Sequence, residues 1–242
     1  FLSIGSSRLS LYASHDPLLA RLPALLREQN IGIDLHVMGS SDSLASLAEG
    51  HCDMAGFHCP EGSLGEPVWE TYRASLDQET HLLFRLAKRT QGLILASGNP
   101  KHIHSLKDLA NPGIRFVNRQ TGSGTRLLFD LLLAKENLRP SQLHGYENEE
   151  FTHAAVAAMI ASAAADAGIG VNAAAQRFGL DFIPLAREHY FLAIRRDRLD
   201  RPVVKEVLEF FASPAWLQLL TSEPGYEATG CGTLMECKAA WG

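Results

Sequence analysis

Along this chain the spacing of apolar positions alternates between a two-residue and a 3.6-residue period. Residues 9–13 read as a strand, and Leu18, Leu19, Leu22, Leu25 and Leu26 then share one face of a helix reaching residue 29. Residues 31–38 alternate apolar and polar as a second strand, Gly39 to Ser43 opens a short helix ending near Gly50, and residues 52–57 form a third strand. This βαβαβ order predicts parallel strands covered by helices. The pattern recurs further on, with strands at 92–96 and 114–117, a short helix at 105–110 and a longer helix at 123–136. Thr152 caps an alanine-rich helix to about 163, followed by a strand at 165–170, a helix at 172–178, strands at 182–185 and 190–194, and helices at 203–211 and 214–220. The chain is predicted to be an α/β protein, with no low-complexity linker dividing its two βα-rich halves.

The segment with the most chemistry is Arg115-Phe-Val-Asn-Arg-Gln-Thr-Gly-Ser-Gly-Thr-Arg126. A strand breaks at a Gly/Ser/Thr turn and a helix follows at once, so free N–H groups, small hydroxyls and the positive end of the helix dipole converge, which favours an anion. A phosphate loop of the NTPase kind needs Gly-Lys-Ser/Thr, but Thr125 and Arg126 follow Gly124; a dinucleotide fingerprint needs a third glycine where Leu127 stands. A small free anion remains. Ser14-His15-Asp16 and Gly39-Ser40-Ser41 make similar turns before the first two helices. In a parallel sheet such turns lie at the carboxyl ends of strands, where ligands bind. The candidate binding residues are therefore Ser14, His15, Ser40, Ser41, Thr121, Gly122, Ser123, Gly124, Thr125 and Arg126. Each Ser or Thr is equally readable as a helix cap. Arg126 is readable as a ligand contact or as one side of a salt bridge across the cleft, and His15 and His153 as structural hydrogen-bonding residues. The acidic run Glu147 to Glu150 reads as a complement to the dipole of the helix that follows.

Composition narrows the classes. The 242 residues are 46% hydrophobic and 20% charged, a globular balance, and the net charge of −5 argues against this chain gripping nucleic acid through its overall field. No apolar run approaches the roughly 18 residues of a membrane span. Cys52, Cys59, Cys231 and Cys237 form no Cys-x-x-Cys and read as reduced and structural, with a Cys231–Cys237 disulfide as the exception left open. The ten histidines show no metal-ligand spacing, and His102 and His104 are expected in an exposed loop. No metal or cofactor is expected. Trp69, Trp216 and Trp241 lack the periodic partners of a base-stacking face. No nucleophile–base–acid set can be assembled from the sequence, so an enzyme is not expected. The first residue is Phe, which reads as a fragment or processed product of a longer protein.

Several motifs together resemble the periplasmic-binding-protein-like domain that is attached to helix-turn-helix regulators and to molybdopterin-biosynthesis proteins. They are Ser14-His-Asp-Pro17, the Asn118-Arg-Gln-Thr-Gly-Ser-Gly-Thr-Arg126 turn, Gly145-Tyr-Glu147, Thr152-His-x-x-Val-Ala157, Ala165-Asp-Ala-Gly-Ile-Gly170 and Asp181-Phe-Ile-Pro-Leu185. More distantly the chain is similar to molybdate- and tungstate-binding proteins. The resemblance implies a type II fold with two lobes, each a mainly parallel sheet flanked by helices, and a ligand cleft between them. It suggests residues 1–88 plus 191–242 as one lobe and 89–190 as the other, with crossings near 86–91 and 188–190. It adds Thr152 and Asp166 to the candidate ligand-binding set, and it implies a small anion, molybdate, tungstate or a metabolite linked to molybdenum enzymes. The expected role is the effector domain of a cytoplasmic bacterial regulator, with DNA held by a domain upstream of Phe1 and a homo-oligomer allowed; the alternative is a periplasmic solute-binding protein serving a transporter. The chain departs from the pattern at Ala13, at Asp42-Ser43-Leu44 and at His58-Cys-Pro-Glu-Gly62, and Asp42 adds a carboxylate beside the expected site.

Overall fold

Strand β1 (Leu9–Ala13) enters the interior with its odd positions buried, in a computed structural model that describes residues 8–240; Trp241 lies outside that range. The chain continues through α1 (Leu22–Glu28), β2 (Ile33–Val37), α2 (Ser40–Ala48), β3 (Met54–Pro60), α3 (Gly65–Tyr72) and the 15-residue β4 (His81–Leu95). Then follow β5 (Phe116–Arg119), α4 (Gly124–Lys135), β6 (Glu149–Glu150), α5 (His153–Ala161), β7 (Ala167–Val171) and α6 (Asn172–Arg177). A second 15-residue strand, β8 (Asp181–Arg195), leads to α7 (Pro202–Ala212), α8 (Pro214–Ser222), β9 (Tyr226–Glu227), β10 (Leu234–Glu236) and α9 (Cys237–Ala240).

The strands form one mixed sheet in the order β2-β1-β3-β8-β4-β7-β5-β6, with β9 and β10 pairing alongside β4. Two parallel sets, β2-β1-β3 and β7-β5-β6, are joined through the antiparallel pair β8 and β4. The predicted strands at 182–185 and 190–194 are thus parts of a single strand. The predicted helix at 105–110 is a single 3-10 turn, Leu106–Ala110. The first half of β4 and all of α3 had no sequence expectation. Strand β4 is buried on both faces along much of its length, so it lacks the alternation that marks a half-exposed strand.

Helix boundaries follow their caps. The Ser123 hydroxyl accepts from Arg126 N–H at 3.2 Å to start α4, and the Thr152 hydroxyl accepts from Ala155 N–H at 3.0 Å to start α5. Proline in the first turn opens α1, α7 and α8, where its missing N–H costs nothing. Helix α4 buries Leu128, Phe129, Leu132 and Leu133, and Phe129 stacks on Phe116 of β5 with ring centroids 4.8 Å apart. That packing fixes the turn between β5 and α4. All four cysteines are free, which closes the alternative of a Cys231–Cys237 bond. His102 and His104 are exposed. Among the described residues, no helix is long and apolar enough to cross a membrane, and no group of three or more His, Cys, Asp or Glu side chains is arranged to hold a metal.

Candidate functional site

Four strand-to-helix turns meet around one cavity of about 490 Å³. Ser14 and His15 come from the turn after β1, Gly39 and Asp42 from the start of α2, Gln120 to Thr125 from the turn after β5, and Phe151 and Thr152 from the turn after β6. Val37 and Met38 at the end of β2, His58 of β3, Arg89 of β4 and Arg119 at the end of β5 complete the wall. Helices α2, α4 and α5 begin directly after Gly39, Ser123 and Thr152, so three N-termini converge here. The first N–H groups of each helix have no intrahelical acceptor, and the dipoles add positive potential. The capping hydroxyls of Ser123 and Thr152 accept from the helix, leaving their own protons to donate.

Two arginines differ sharply in how their charge is met. Arg89 donates from Nε to Glu188 Oε1 at 2.5 Å and from Nη1 to Asp16 Oδ2 at 2.7 Å, all three residues being buried. Burial alone would raise the Asp16 carboxyl, but the nearby His58 ring, the Arg89 guanidinium and the Tyr226 hydroxyl outweigh it and hold Asp16 well below the usual carboxylate range. Arg119 is only 2% exposed, yet its partners are neutral. It donates to the Gln120 side-chain oxygen and to the carbonyls of Glu150 and Phe151, and its Nη1 lies 3.1 Å from the ring nitrogens of His153. Burial, reinforced by the Arg89 charge and only partly offset by the more distant Glu188 carboxylate, lowers its pKa to about 10, so it stays a cation at neutral pH. A buried cation with no carboxylate in direct contact is expensive and invites an anion.

Three histidines of the site have lowered pKa values, His15 and His153 beside Arg119 and His58 beside Arg89. Burial and the Arg119 charge lower His15 to about 4. Burial, with Arg119 and Arg89, pushes His153 well below its ordinary value, and burial with Arg89 lowers His58. A neutral imidazole can donate at one nitrogen and accept at the other. His58 stacks on Tyr190 with ring centroids 3.9 Å apart and shares a 2.7 Å hydrogen bond with the Ser14 hydroxyl.

Ser14, His58 and Asp16 thus stand in the nucleophile–base–acid order that the sequence did not reveal. The arrangement is incomplete as a catalyst. His58 Nε2 lies 3.9 Å from Asp16 Oδ2, beyond hydrogen-bond reach, and that oxygen is already taken by Arg89 and by the Tyr226 hydroxyl at 2.8 Å.

Of the predicted binding residues, Ser14, His15, Thr121, Gly122, Ser123, Gly124, Thr125 and Thr152 line the cavity. Ser40, Ser41 and Arg126 line an adjoining hollow of about 230 Å³ on the other side of the Thr121–Gly124 turn. Ser40 is buried, its hydroxyl 3.4 Å from His58 N–H. Arg126 is turned away from the main cavity because Glu149 accepts from it at 2.9 Å and the Tyr146 hydroxyl at 3.1 Å, with Asp130 at 3.5 Å. Asp166 lies away from both spaces, accepting from Arg115 N–H at 2.8 Å and from its guanidinium at 2.9 and 3.1 Å. Arg89, His58, Gly39 and Phe151 were not among the candidates. Arg89 sits inside a strand with no local motif, and His58, read as opening the turn at 58–62, lies inside β3 instead. Arg119 carried a local signal, since it ends a strand directly before the Gly/Ser/Thr turn.

The chain belongs to the PBP superfamily domain family, whose model matches residues 24–212, and it has the type II periplasmic-binding-protein fold. It is 33% identical over 197 residues to the uncharacterized protein YvgK of Bacillus subtilis (strain 168), a match covering 81% of this chain and 63% of that protein. The chain therefore spans under two thirds of that relative's length. The tungstate ABC transporter structure from Geobacter sulfurreducens superposes with a TM-score of 0.63 at 14% identity, covering 89% of this chain and 98% of that one. The CcmR regulatory domain of Synechocystis PCC6803, solved in complex with 2-PG, superposes with a TM-score of 0.59 at 17% identity, covering 84% and 95%. At these identities the likeness is one of fold.

Proposed function

We propose that this chain binds a small anion in the cavity between its strand-end turns and serves as the effector-binding domain of a bacterial transcription regulator. The observation carrying this reading is the convergence of three helix N-termini on a buried Arg119 that has only neutral partners. Molybdate, tungstate or a small metabolite anion fits that chemistry. Closure of the turns around the ligand would be the signal passed to an attached DNA-binding domain, in the cytoplasm and in a homo-oligomer if the regulator is one. A second reading, a periplasmic protein handing the anion to a transporter, is favoured by the fold shared with the tungstate transporter protein. Co-purification of the full-length gene product with DNA or with a membrane complex separates the two contexts.

The binding reading is tested by thermal unfolding against molybdate, tungstate, sulfate, phosphate, formate and short carboxylates, in the wild type and in Arg119→Gln. At least one anion should raise the melting temperature, since a ligand binding only the folded state stabilises it. Arg119→Gln should weaken that anion by about 1.5–3 kcal/mol, the scale of a hydrogen bond to a charged group. A melting temperature indifferent to every anion would refute the reading.

A further inference from the structure

The cavity is not uniformly polar. Its floor is built from Arg119 and the helix N-termini, but its mouth carries Val37, Met38 and Phe151. Val37 is 59% exposed and Phe151 71% exposed, and both are among the few large apolar side chains left open to solvent in the described residues. They belong to different elements, Val37 ending β2 and Phe151 preceding the cap of α5. Neither packs into the core, so their common position at one cavity calls for a cause outside folding. Exposed apolar groups gathered at a cleft mark a binding surface.

Size points the same way. A space of about 490 Å³ falls within the roughly 300–1,000 Å³ of small-molecule sites. A tetrahedral oxyanion is only a few water-sized volumes of about 30 Å³ each, and would leave the mouth filled with water.

We infer that the site takes an organic anion, with a carboxylate or phosphate head on Arg119 and the helix N-termini and a flat apolar body between Val37, Met38 and Phe151. This rests on the anion-binding reading and narrows it. The body supplies affinity through apolar burial, and the head supplies orientation.

The test uses matched probes, inorganic phosphate against phenyl phosphate and formate against benzoate, titrated calorimetrically into the wild type and into Phe151→Ser, Val37→Ser and the double variant. The organic member of each pair should bind tighter by roughly tenfold or more, the scale of burying an aromatic ring. In the double variant the ratio of phenyl phosphate to phosphate affinity should fall toward one. Arg119→Gln should weaken both members of a pair. The inference is overturned if phosphate, molybdate or tungstate binds as tightly as the organic probes, or if the affinity ratio ignores both rim substitutions. Benzamide, the neutral counterpart of benzoate, separates the two readings. Equal binding of benzamide and benzoate, with no effect of Arg119→Gln, would remove the anion reading and leave the apolar rim standing. Failure of every probe to bind would overturn both.

Discussion

Arg119, His15 and His153 act on one another, because burial and then the cation keep the two rings neutral, and neutral rings give the cation no counter-charge. His15 titrates at about 4 in the folded chain, lowered by burial and by Arg119, against about 6.5 when unfolded. Between those values the unfolded chain binds more protons, so this contribution to stability is lost as pH falls from about 6.5 to about 4. Urea unfolding should show stability declining across that window, by up to about 1.4 kcal/mol per pH unit for each such histidine. His15→Asn should flatten the decline, and an unaltered pH dependence in the variant would mean that His15 titrates normally. At this scale the sequence was legible wherever chemistry was local. Thr121 to Thr125 are consecutive, and their turn type is written in their own residues. Arg89 and Glu188 are 99 positions apart and adjacent only because β4 and β8 pair, so no spacing rule could find them. Arg126 misleads in part for the same reason: Asp130 is its i+4 neighbour and readable from spacing, but Glu149, which holds it at 2.9 Å, lies on a later strand.

The turns touch across the cavity. A Cβ on Gly39 would sit 3.1 Å from the Gly122 carbonyl oxygen and 3.1 Å from Asp42 Oδ2, and one on Gly124 would meet the Ser40 hydroxyl at 3.6 Å. Gly39 has φ −65 and ψ 155, open to any residue. A substitution there therefore tests the contact and not the backbone. Gly39→Val should push the α2 and α4 turns apart and weaken anion binding by about 1–3 kcal/mol, the usual scale of overpacking. The melting temperature of the free protein should change little, because the added methyls meet the turn and not the core. Undiminished affinity would mean that the two turns need not meet when ligand is bound. Elements of one period, such as α4 and β2, could be read from spacing alone. Helix α3 carries Gly65 and Pro67 in its first turn, which read as loop residues, and β4 and β8 hide charged side chains such as Arg89 and Glu188 in the sheet interior.

Those two strands also decide what the whole molecule can do. They pair along their length and connect the two parallel sets, with register shifts at Arg85/Ala87 and at Gln91/Gly92. The proposed division of the chain, 1–88 plus 191–242 against 89–190, cuts β4 between these irregularities, beside the Arg89↔Glu188 pair, and cuts β8 at the first of them, between Tyr190 and Phe191. Bulged strands bend and twist more readily than regular ones, so the ribbon is a reasonable axis for opening. The second shift needs Gly92, since a Cβ there would meet the Ile183 carbonyl oxygen at 2.1 Å. The clamp reading takes the close approach of Gly39 to the Gly122 turn as its closed state, and requires a more open population in solution without ligand. Moving such an equilibrium from 1:99 to 99:1 takes about 5.5 kcal/mol of preference for the closed state, which an anion gains only by touching the α2, α4 and α5 turns together. Small-angle scattering should therefore record a smaller radius of gyration when a saturating ligand is added, and Gly39→Val should retain the larger radius at the same occupancy. An identical radius with and without bound ligand would discard the clamp while leaving the binding site intact.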